Sequence, residues 1–192
     1  MGEANFGAPI NEVEWIKTHL DLDVFIEGGT YKGHTASRMA IVFERVFTIE
    51  RHDQLHKEAR ARHPIGNITF LHGDTRDHLP HLLQNHRKCL IWLDAHWSGL
   101  GTHGEDDECP LLDELALIFA SPAQPAILID DARLFTAPPP PPHKLSAWPS
   151  LDQVLAAIPD GYRTLIIEDV IYVLASNTFP RFREYIRNQP SV

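Results

Sequence analysis

The stretch Val24-Phe25-Ile26-Glu27-Gly28-Gly29-Thr30-Tyr31-Lys32-Gly33-His34-Thr35 predicts a strand, a glycine turn and the start of a helix. Its apolar residues favour a buried strand, and its glycines permit the sharp turn that follows. Backbone amides in the first turn of a helix form a natural anion site. The segment therefore predicts a ligand-binding turn at the carboxyl end of a buried strand.

The spacing of the glycines indicates which ligand this turn can hold. A dinucleotide fingerprint requires a second glycine where the backbone approaches the pyrophosphate. Counted from Gly28 that position is Thr30, and counted from Gly29 it is Tyr31. A Cβ at that place obstructs a pyrophosphate but not a smaller carboxylate. The turn therefore favours a nucleoside with an amino-acid tail over a dinucleotide.

Working outward from the turn, apolar runs alternate with helical patterns. The buried strands are predicted at Val24–Ile26, Val46–Ile49, Ile68–Leu71, Leu90–Leu93 and Ala126–Ile129. The helices are predicted at Asn11–Leu20 with Asn11 as its N-cap, and at Thr35–Phe43, His52–Arg62, Thr75–Leu83, Pro110–Phe119 and Leu151–Ile158. This alternation predicts an α/β fold with a parallel sheet wound by helices.

The last two apolar runs are Arg163–Ile167 and Val170–Leu174. Only Glu168-Asp169 joins them, which is too short for a parallel crossover, so they predict an antiparallel hairpin. Further upstream, the prolines Pro138–Pro142 must be extended. They are interpreted as a stiff surface spacer, with a wall of the active site as the alternative.

Composition bounds the class of protein. The 192 residues fit a single domain spanning 1–192, and the net charge of -9 argues against a nucleic-acid partner. Cys89 and Cys109 do not form a metal-type pair, and Cys89 is expected to be a buried thiol. No apolar stretch suits a membrane span and no signal pattern opens the chain, so we expect a cytoplasmic protein without a membrane partner. The sequence does not decide whether the protein forms a homo-oligomer.

Two acids follow the second and third strands. Glu50 lies 21 residues after Gly29, a spacing at which an acid can accept hydrogen bonds from both ribose hydroxyls. Asp74 ends the third strand, beside the expected position of an adenine. Solvated strand-end charges are the alternative interpretation for each acid alone. Together with the turn, the two acids predict a ligand site at the carboxyl edge of the sheet.

A second group follows the fourth and fifth strands: Asp94, His96, Asp130 and Asp131. Three carboxylates in one cleft repel each other unless a cation or protons compensate them. Such oxygen ligands suit Mg²⁺, Mn²⁺ or Ca²⁺, while His96 would shift the preference toward a transition metal or act as a general base. The alternative is that Asp130 caps a strand end and Asp131 opens a turn, without a metal.

The loop Ser98–Cys109 is interpreted as either a mobile lid or a plain loop. Gly99, Gly101 and Gly104 would be its hinges, and Glu105-Asp106-Asp107-Glu108 its solvated tip. His103 and His143 are expected at the surface beside the cleft. The aromatic residues Trp97, Phe135 and Trp148 could line an acceptor pocket, although packing is their commoner role.

Residues Glu27–Thr35 resemble the first motif of class I S-adenosylmethionine-dependent methyltransferases. They are most similar to the acid-x-Gly-Thr-Tyr-x-Gly-x-Ser/Thr form of the metal-dependent, catechol-type O-methyltransferases. The resemblance continues through Glu50, Asp74 and Asp94 to the terminal hairpin, and covers roughly residues 20–175. It implies a single-domain, Rossmann-like, doubly wound sheet of seven mostly parallel strands that ends in an antiparallel hairpin. The insert Ser98–Cys109 and the residue His96 depart from the family pattern.

The resemblance also implies a function and a set of site residues. The function is methyl transfer from S-adenosylmethionine to a hydroxyl oxygen of a small-molecule acceptor, assisted by Mg²⁺ or another divalent metal. Asp94, Asp130 and Asp131 would be metal ligands, and Asp94 would be a catalytic residue. His96, which the family pattern does not include, is predicted from its position as the second catalytic residue, a general base or an additional ligand. The cofactor-binding residues would be Glu27, Gly28, Gly29, Thr30, Tyr31, Gly33, Glu50, Asp74 and Asp94. The alternatives are a non-catalytic S-adenosylmethionine binder and a nicotinamide-dependent oxidoreductase, against which Thr30 and Tyr31 count.

Overall fold

The computed structural model describes residues 7–97, 104, 107–137 and 139–189. The strands are β1 (Val24–Gly28), β2 (Arg45–Glu50), β3 (Ile68–His72), β4 (Cys89–Leu93), β5 (Ala126–Ile129), β6 (Tyr162–Ile167) and β7 (Val170–Ala175). The helices are α1 (Ile10–Leu20), α2 (His34–Val42), α3 (Asp53–Arg62), α4 (Thr75–Asn85), α5 (Leu111–Ala120), α6 (Ala132–Thr136), α7 (Leu151–Ala156) and α8 (Phe179–Arg187), with a short 3-10 turn at Leu145–Ala147.

One seven-stranded sheet has the order β3-β2-β1-β4-β5-β7-β6. Strands β1 to β5 are parallel, and β7 pairs antiparallel with both β5 and β6. The predicted α/β class, seven-stranded Rossmann-like sheet and terminal antiparallel hairpin are therefore confirmed. The strand order reverses between β1 and β4, and this switch point is where open α/β sheets bind ligands at their carboxyl ends.

Helices cover both faces of the sheet, as the apolar faces of its strands require. On one face, Ile26, Ile91 and Ile127 share a buried core with residues of α4, α5 and α7. On the other face, Phe25 and Leu128 lie in a second buried core with residues of α1, α2 and α8. None of the described helices has the length and apolar character that crossing a membrane requires.

The structure corrects several local predictions. Asn11 is not the N-cap of α1: the helix begins at Ile10 after Pro9, because the carbonyl of Pro9 accepts the amide of Val13. Strand β3 is only partly buried, with Thr69 exposed, since it forms an edge of the sheet. The short helices α6 and α8 were not predicted. Cys89 is fully buried, as expected.

The turn after β1 requires glycine at Gly29. Its φ is 89°, in the left-handed region, and a Cβ there would run into the backbone carbonyl of Asp94. The turn therefore packs directly on the residue that follows β4, and this close approach joins the two halves of the predicted site.

Gly29→Ala should lower the free energy of unfolding by more than about 1 kcal/mol, because alanine is strained at this φ and its Cβ has no room. Gly66→Ala is the matched control, since Gly66 has open space around it and lacks the left-handed φ. We expect that variant to stay within about 0.5 kcal/mol of wild type. Urea denaturation measures both, and equal losses would contradict the steric argument.

Candidate active site

The predicted site residues lie along one edge of the sheet. The amide of Asp94 donates to the carbonyl of Gly28 at 3.0 Å, and the amide of Asp130 donates to the carbonyl of Leu93 at 3.1 Å. The amide of Gly29 donates to the carbonyl of Ile49 at 3.0 Å. The hydrogen-bond ladder of the sheet thus continues into the loops. The ends of β1, β2, β4 and β5 are held side by side.

Glu27 braces the glycine turn from within the sheet. Thr48 Oγ1 donates to Glu27 Oε2 at 2.5 Å, and Thr30 Oγ1 lies 2.6 Å from Thr48 Oγ1. All three side chains are buried. Burial raises the pKa of Glu27 to about 8, and hydrogen bonds from Thr48 and Thr35 oppose that rise. Glu27 therefore ties the turn to β2 through a chain of hydroxyl groups.

Glu50 links the turn to the end of β2. Its Oε2 accepts the amide of Tyr31 and its Oε1 accepts the amide of His52, both at 2.8 Å. Tyr31 has a left-handed φ of 47°. Each carboxylate oxygen retains a further lone pair, so the carboxylate could still accept ribose hydroxyls while it holds the turn.

Asp74 lies at the N-terminus of α4, where its carboxylate is held by one arginine. Its Oδ1 accepts the Arg76 amide and Nε, each at 2.9 Å, and its Oδ2 accepts Nη2 at 2.8 Å. Arg76 also pairs with Asp107 and with Asp113, and Arg51 Nη1 lies 3.7 Å from Oδ2 of both Asp74 and Asp107. Arg76 holds the pKa of Asp74 below its ordinary value. An ionic cluster thus occupies the predicted adenine side, which sequence reasoning missed.

Asp94, His96 and Asp131 converge beside the turn. His96 Nε2 is hydrogen-bonded to Asp131 Oδ2 and lies 3.7 Å from Asp94 Oδ1. One ligand atom from each of the three residues lies within 4.8 Å of the other two. The predicted metal ligand Asp130 is not in this group, and its Oδ1 accepts the amide of Asp131 at 2.8 Å. The structure therefore brings together three of the four side chains that the sequence placed here, with His96 among them.

The charges of this group are only partly compensated. Burial raises the pKa of Asp94 well above its ordinary value, and the charges of Asp130 and Asp131 add to the rise. Burial and the charge of Asp131 raise the pKa of Asp130 to about 7. Burial also lowers the pKa of His96. Arg133 pairs with Asp131, its Nη1 lying 2.5 Å from Oδ1. Neutral imidazole and clustered carboxylates are the donor forms that bind a divalent cation.

The acidic tip predicted at residues 105–108 is wrong for Glu108, which is 1% exposed. Trp148 Nε1 donates to its carboxylate at 2.8 Å, and the Lys144 amide and His143 Nδ1 also contact it. Burial raises the pKa of Glu108, but these hydrogen bonds outweigh burial and leave the pKa below its ordinary value. Gly99, Gly101, His103, Glu105, Asp106 and Pro138 lie outside the described residues.

The aromatic residues predicted as pocket lining or packing are buried: Trp97, Phe135 and Trp148. His143, predicted at the surface, is half-buried, and its ring meets both tryptophans edge-on at centroid distances of 5.1 and 5.4 Å. Beyond Pro139, which is buried, the prolines Pro140 to Pro142 are exposed. The chain after them returns to cover the site.

Glu114 is a second buried carboxyl group that the sequence did not reveal. It belongs to α5, is 1% exposed, and its Oε1 has no hydrogen-bond partner among the described residues. Burial raises its pKa to about 8. A Cβ placed on Gly28 would crowd Thr75, at 2.9 Å from its Oγ1 and 3.0 Å from its Cγ2, and would lie 3.5 Å from that oxygen of Glu114, an ordinary contact distance.

Comparison with solved structures identifies the fold. An O-methyltransferase from Bacillus cereus in complex with SAH matches with a TM-score of 0.63 and 14% identity, over 88% of this chain and 82% of that one. The cofactor-bound protein Rv0187 from MTB matches with a TM-score of 0.61 and 15% identity, over 89% and 82%. An rRNA methylase from Streptococcus thermophilus matches with a TM-score of 0.52 and 14% identity, over 90% and 99%.

The fold is therefore that of the class I S-adenosylmethionine-dependent methyltransferases, the class that the sequence motif resembles. No protein-family profile matches the chain, and no curated protein matches its sequence. At these identities the comparisons define the fold, whereas reaction and acceptor have to be argued from the site.

Glu27→Gln should change how stability depends on pH. In the folded protein the pKa of Glu27 is about 8. In the unfolded chain the pKa of a glutamate is about 4.3. Folding takes up a proton between these values, so the stability contributed by Glu27 is full at low pH and is lost as pH rises toward 8. Relative to the glutamine variant, wild type should lose up to about 1.4 kcal/mol of stability per pH unit as pH rises toward 8, and the difference should level off above pH 8.

Urea denaturation at pH 5, 7 and 9 measures this difference. Glu114→Gln provides an independent repeat with the same expected direction, since the pKa of Glu114 is also about 8. A stability difference that stays constant with pH in both variants would show that these carboxyl groups do not hold protons in the folded protein.

Proposed function

We propose that this protein transfers the sulfonium methyl group of S-adenosylmethionine to a hydroxyl oxygen of a small-molecule acceptor. The observation that carries the proposal is the contact of the Gly29 turn with Asp94, which sets a cofactor-type turn beside a group of proton- or metal-binding side chains. The methyltransferase fold of the structural neighbours supports it. The net charge of -9 favours a small molecule over a nucleic acid as the acceptor.

In this proposal the cofactor runs along the sheet edge from β4 toward β3. Backbone amides after the Gly29 turn hold its carboxylate, and Asp94 faces its amino-acid end. Glu50 accepts the ribose hydroxyls, and the region around Asp74 holds the adenine. The Arg76–Asp107 ion pair would then border the adenine rather than leave Asp74 free to bind it.

The residues present fit a divalent metal. Two carboxylates and one imidazole converge, and their charges are compensated only in part, by Arg133. Asp94, His96 and Asp131 would hold the ion. Asp130 lies outside the converging group and accepts the amide of Asp131. A bound divalent ion would lower the pKa of an acceptor hydroxyl and orient it. Oxygen, methyl group and sulfur must then lie in line, which is a matter of positioning.

Without a metal, His96 is the candidate general base. Its pKa lies below the ordinary value because of burial, so the imidazole is neutral and able to accept a proton near pH 7. Asp131 would orient the ring and stabilise its charged form. To act as the base, the neutral ring would carry its proton on Nδ1 and take the acceptor's proton on Nε2, and Asp131 would then accept a hydrogen bond from the Nε2–H of the imidazolium.

The cofactor part of the proposal predicts selective binding. S-adenosylhomocysteine should raise the melting temperature, and NAD should not, because Thr30 and Tyr31 obstruct a pyrophosphate. Glu50→Ala should weaken S-adenosylhomocysteine binding by about 1–3 kcal/mol, the value of hydrogen bonds to a charged group. Isothermal calorimetry measures both. Binding of NAD without S-adenosylhomocysteine would overturn the proposal, and an unchanged dissociation constant in the variant would remove Glu50 from the site.

The metal part predicts a chelator-reversible stabilisation. Mn²⁺ at 100 times its dissociation constant should stabilise the protein by about 2.7 kcal/mol, and EDTA should remove the effect. His96→Gln and Asp131→Asn should abolish the response, whereas Asp130→Asn should only weaken it, since Asp130 lies outside the converging group. Thermal unfolding with and without Mn²⁺ checks this.

S-adenosylhomocysteine binding serves as the control, because His96, Asp130 and Asp131 are not among the predicted cofactor residues. A response to Mn²⁺ that survives in both His96→Gln and Asp131→Asn would place the ion elsewhere. Absence of any response in wild type would favour His96 as the general base.

A further inference from the structure

The orientation of His96 has an unusual physical cause. Its Nε2 faces Asp131 and Asp94, but its Nδ1 is buried and has no hydrogen-bond partner among the described residues. A functional histidine is ordinarily oriented by a carboxylate or carbonyl on its second nitrogen. Here the described residues supply no partner for Nδ1, so the ring is oriented by the hydrogen bond of Nε2 with Asp131 and by the packing around the ring.

The packing partner is Trp148. Its ring centroid lies 5.5 Å from that of His96, and the two rings are tilted by 46°. The imidazole side chain is only 11% exposed and Trp148 is 6% exposed, so neither ring can turn freely. Trp148 therefore limits the orientations that the His96 ring can adopt.

Trp148 is in turn fixed by Glu108. The indole Nε1 donates to Glu108 Oε2 at 2.8 Å, a buried bond to a carboxylate. The same carboxylate accepts the Lys144 amide, at 3.1 Å from each oxygen, and His143 Nδ1 lies 3.2 Å away. The segment from His143 to Trp148 is thus wrapped around one buried acid, which these donors compensate.

Glu108 also holds Trp97, the residue that follows His96 in the chain. Its backbone carbonyl accepts the amide of Trp97 at 2.8 Å. One residue therefore restrains His96 twice, through the backbone of the next residue and through the ring that packs against the imidazole.

We propose that Glu108 is the positioning residue for His96: it holds Trp97 and Trp148 so that His96 Nε2 points at Asp94 and Asp131. The use of His96 as ligand or base rests on the proposed function, but its orientation by Glu108 does not. Glu108 itself touches neither cofactor nor acceptor in this arrangement.

The orientation is tested on metal-free protein with ¹⁵N-labelled tryptophan and histidine. Trp148→Phe and His96→Gln assign the two resonances. In Glu108→Ala the indole N–H of Trp148 should exchange about tenfold faster or more, and the His96 signals should shift or broaden. The indole of Trp15, on α1 at the other face of the sheet, should not change. Glu108→Gln, which keeps an acceptor for Trp148, should restore most of the wild-type behaviour.

Asp107→Asn is the matched control for the same two signals. Asp107 is the neighbouring residue, but it pairs with Arg76 and not with the tryptophan. In the Asp107→Asn variant, the Trp148 and His96 resonances should stay as in wild type. The same change in this variant as in Glu108→Ala would mean that any disturbance of the segment moves His96, which overturns the proposal.

A second readout is Mn²⁺ affinity by calorimetry. Glu108→Ala should weaken it by about 10- to 100-fold, as loss of an orienting contact does at metal sites, and leave S-adenosylhomocysteine affinity within about twofold. If wild type binds no Mn²⁺ but the His96 signals still depend on Glu108, the positioning role stands and the metal part of the proposed function fails.

Two results would overturn the proposal directly. One is a Trp148 signal that is released in Glu108→Ala while the His96 signals stay unchanged. The other is a joint change of all indole signals, Trp15 on the other face of the sheet included, in both Glu108 variants, which would make Glu108 a residue of general folding.

Discussion

The close approach of the Gly29 turn to the carbonyl of Asp94 is the constraint on which the rest of the site depends. It lies at the switch point of the sheet, where β1 and β4 are neighbours in space although β2 and β3 intervene in the chain. A side chain at position 29 would separate the two loops. Because there is none, the turn suited to a small anionic ligand and the residues that could activate an acceptor share one cleft.

Several carboxyl groups in and beside that cleft are buried away from water. Glu27 and Glu114 are buried with pKa values near 8, and Asp94 and Asp130 have raised pKa values for the same reason. The charges of these groups are compensated differently on the two sides of the cleft. At the end of β3, Arg76 pairs with its acids directly. On the side of β4 and β5, compensation is incomplete, and this difference is why we propose that a proton or a cation binds there.

The residues Asp107 and Glu108 connect these two sides. Asp107 joins the ion pairs of Arg76 at the start of α4, and Glu108 anchors Trp148 beside His96. Adjacent residues of one chain segment thus contact both parts of the cleft. The insert that departs from the family pattern therefore serves, at its described end, as a structural bridge between them.

The sequence by itself determined the strands, the glycine turn and the acids at the strand ends, since these depend on local periodicity and on the edge shared by parallel strands. Element bounds agree to within two residues. Only the tertiary structure decided which three of the four side chains after β4 and β5 converge, namely Asp94, His96 and Asp131, while Asp130 accepts the amide of Asp131, whose φ is 56°. It also decided that Glu108 is buried. Its partners His143, Lys144 and Trp148 are 35 to 40 residues away, and local pattern cannot report contacts at that separation.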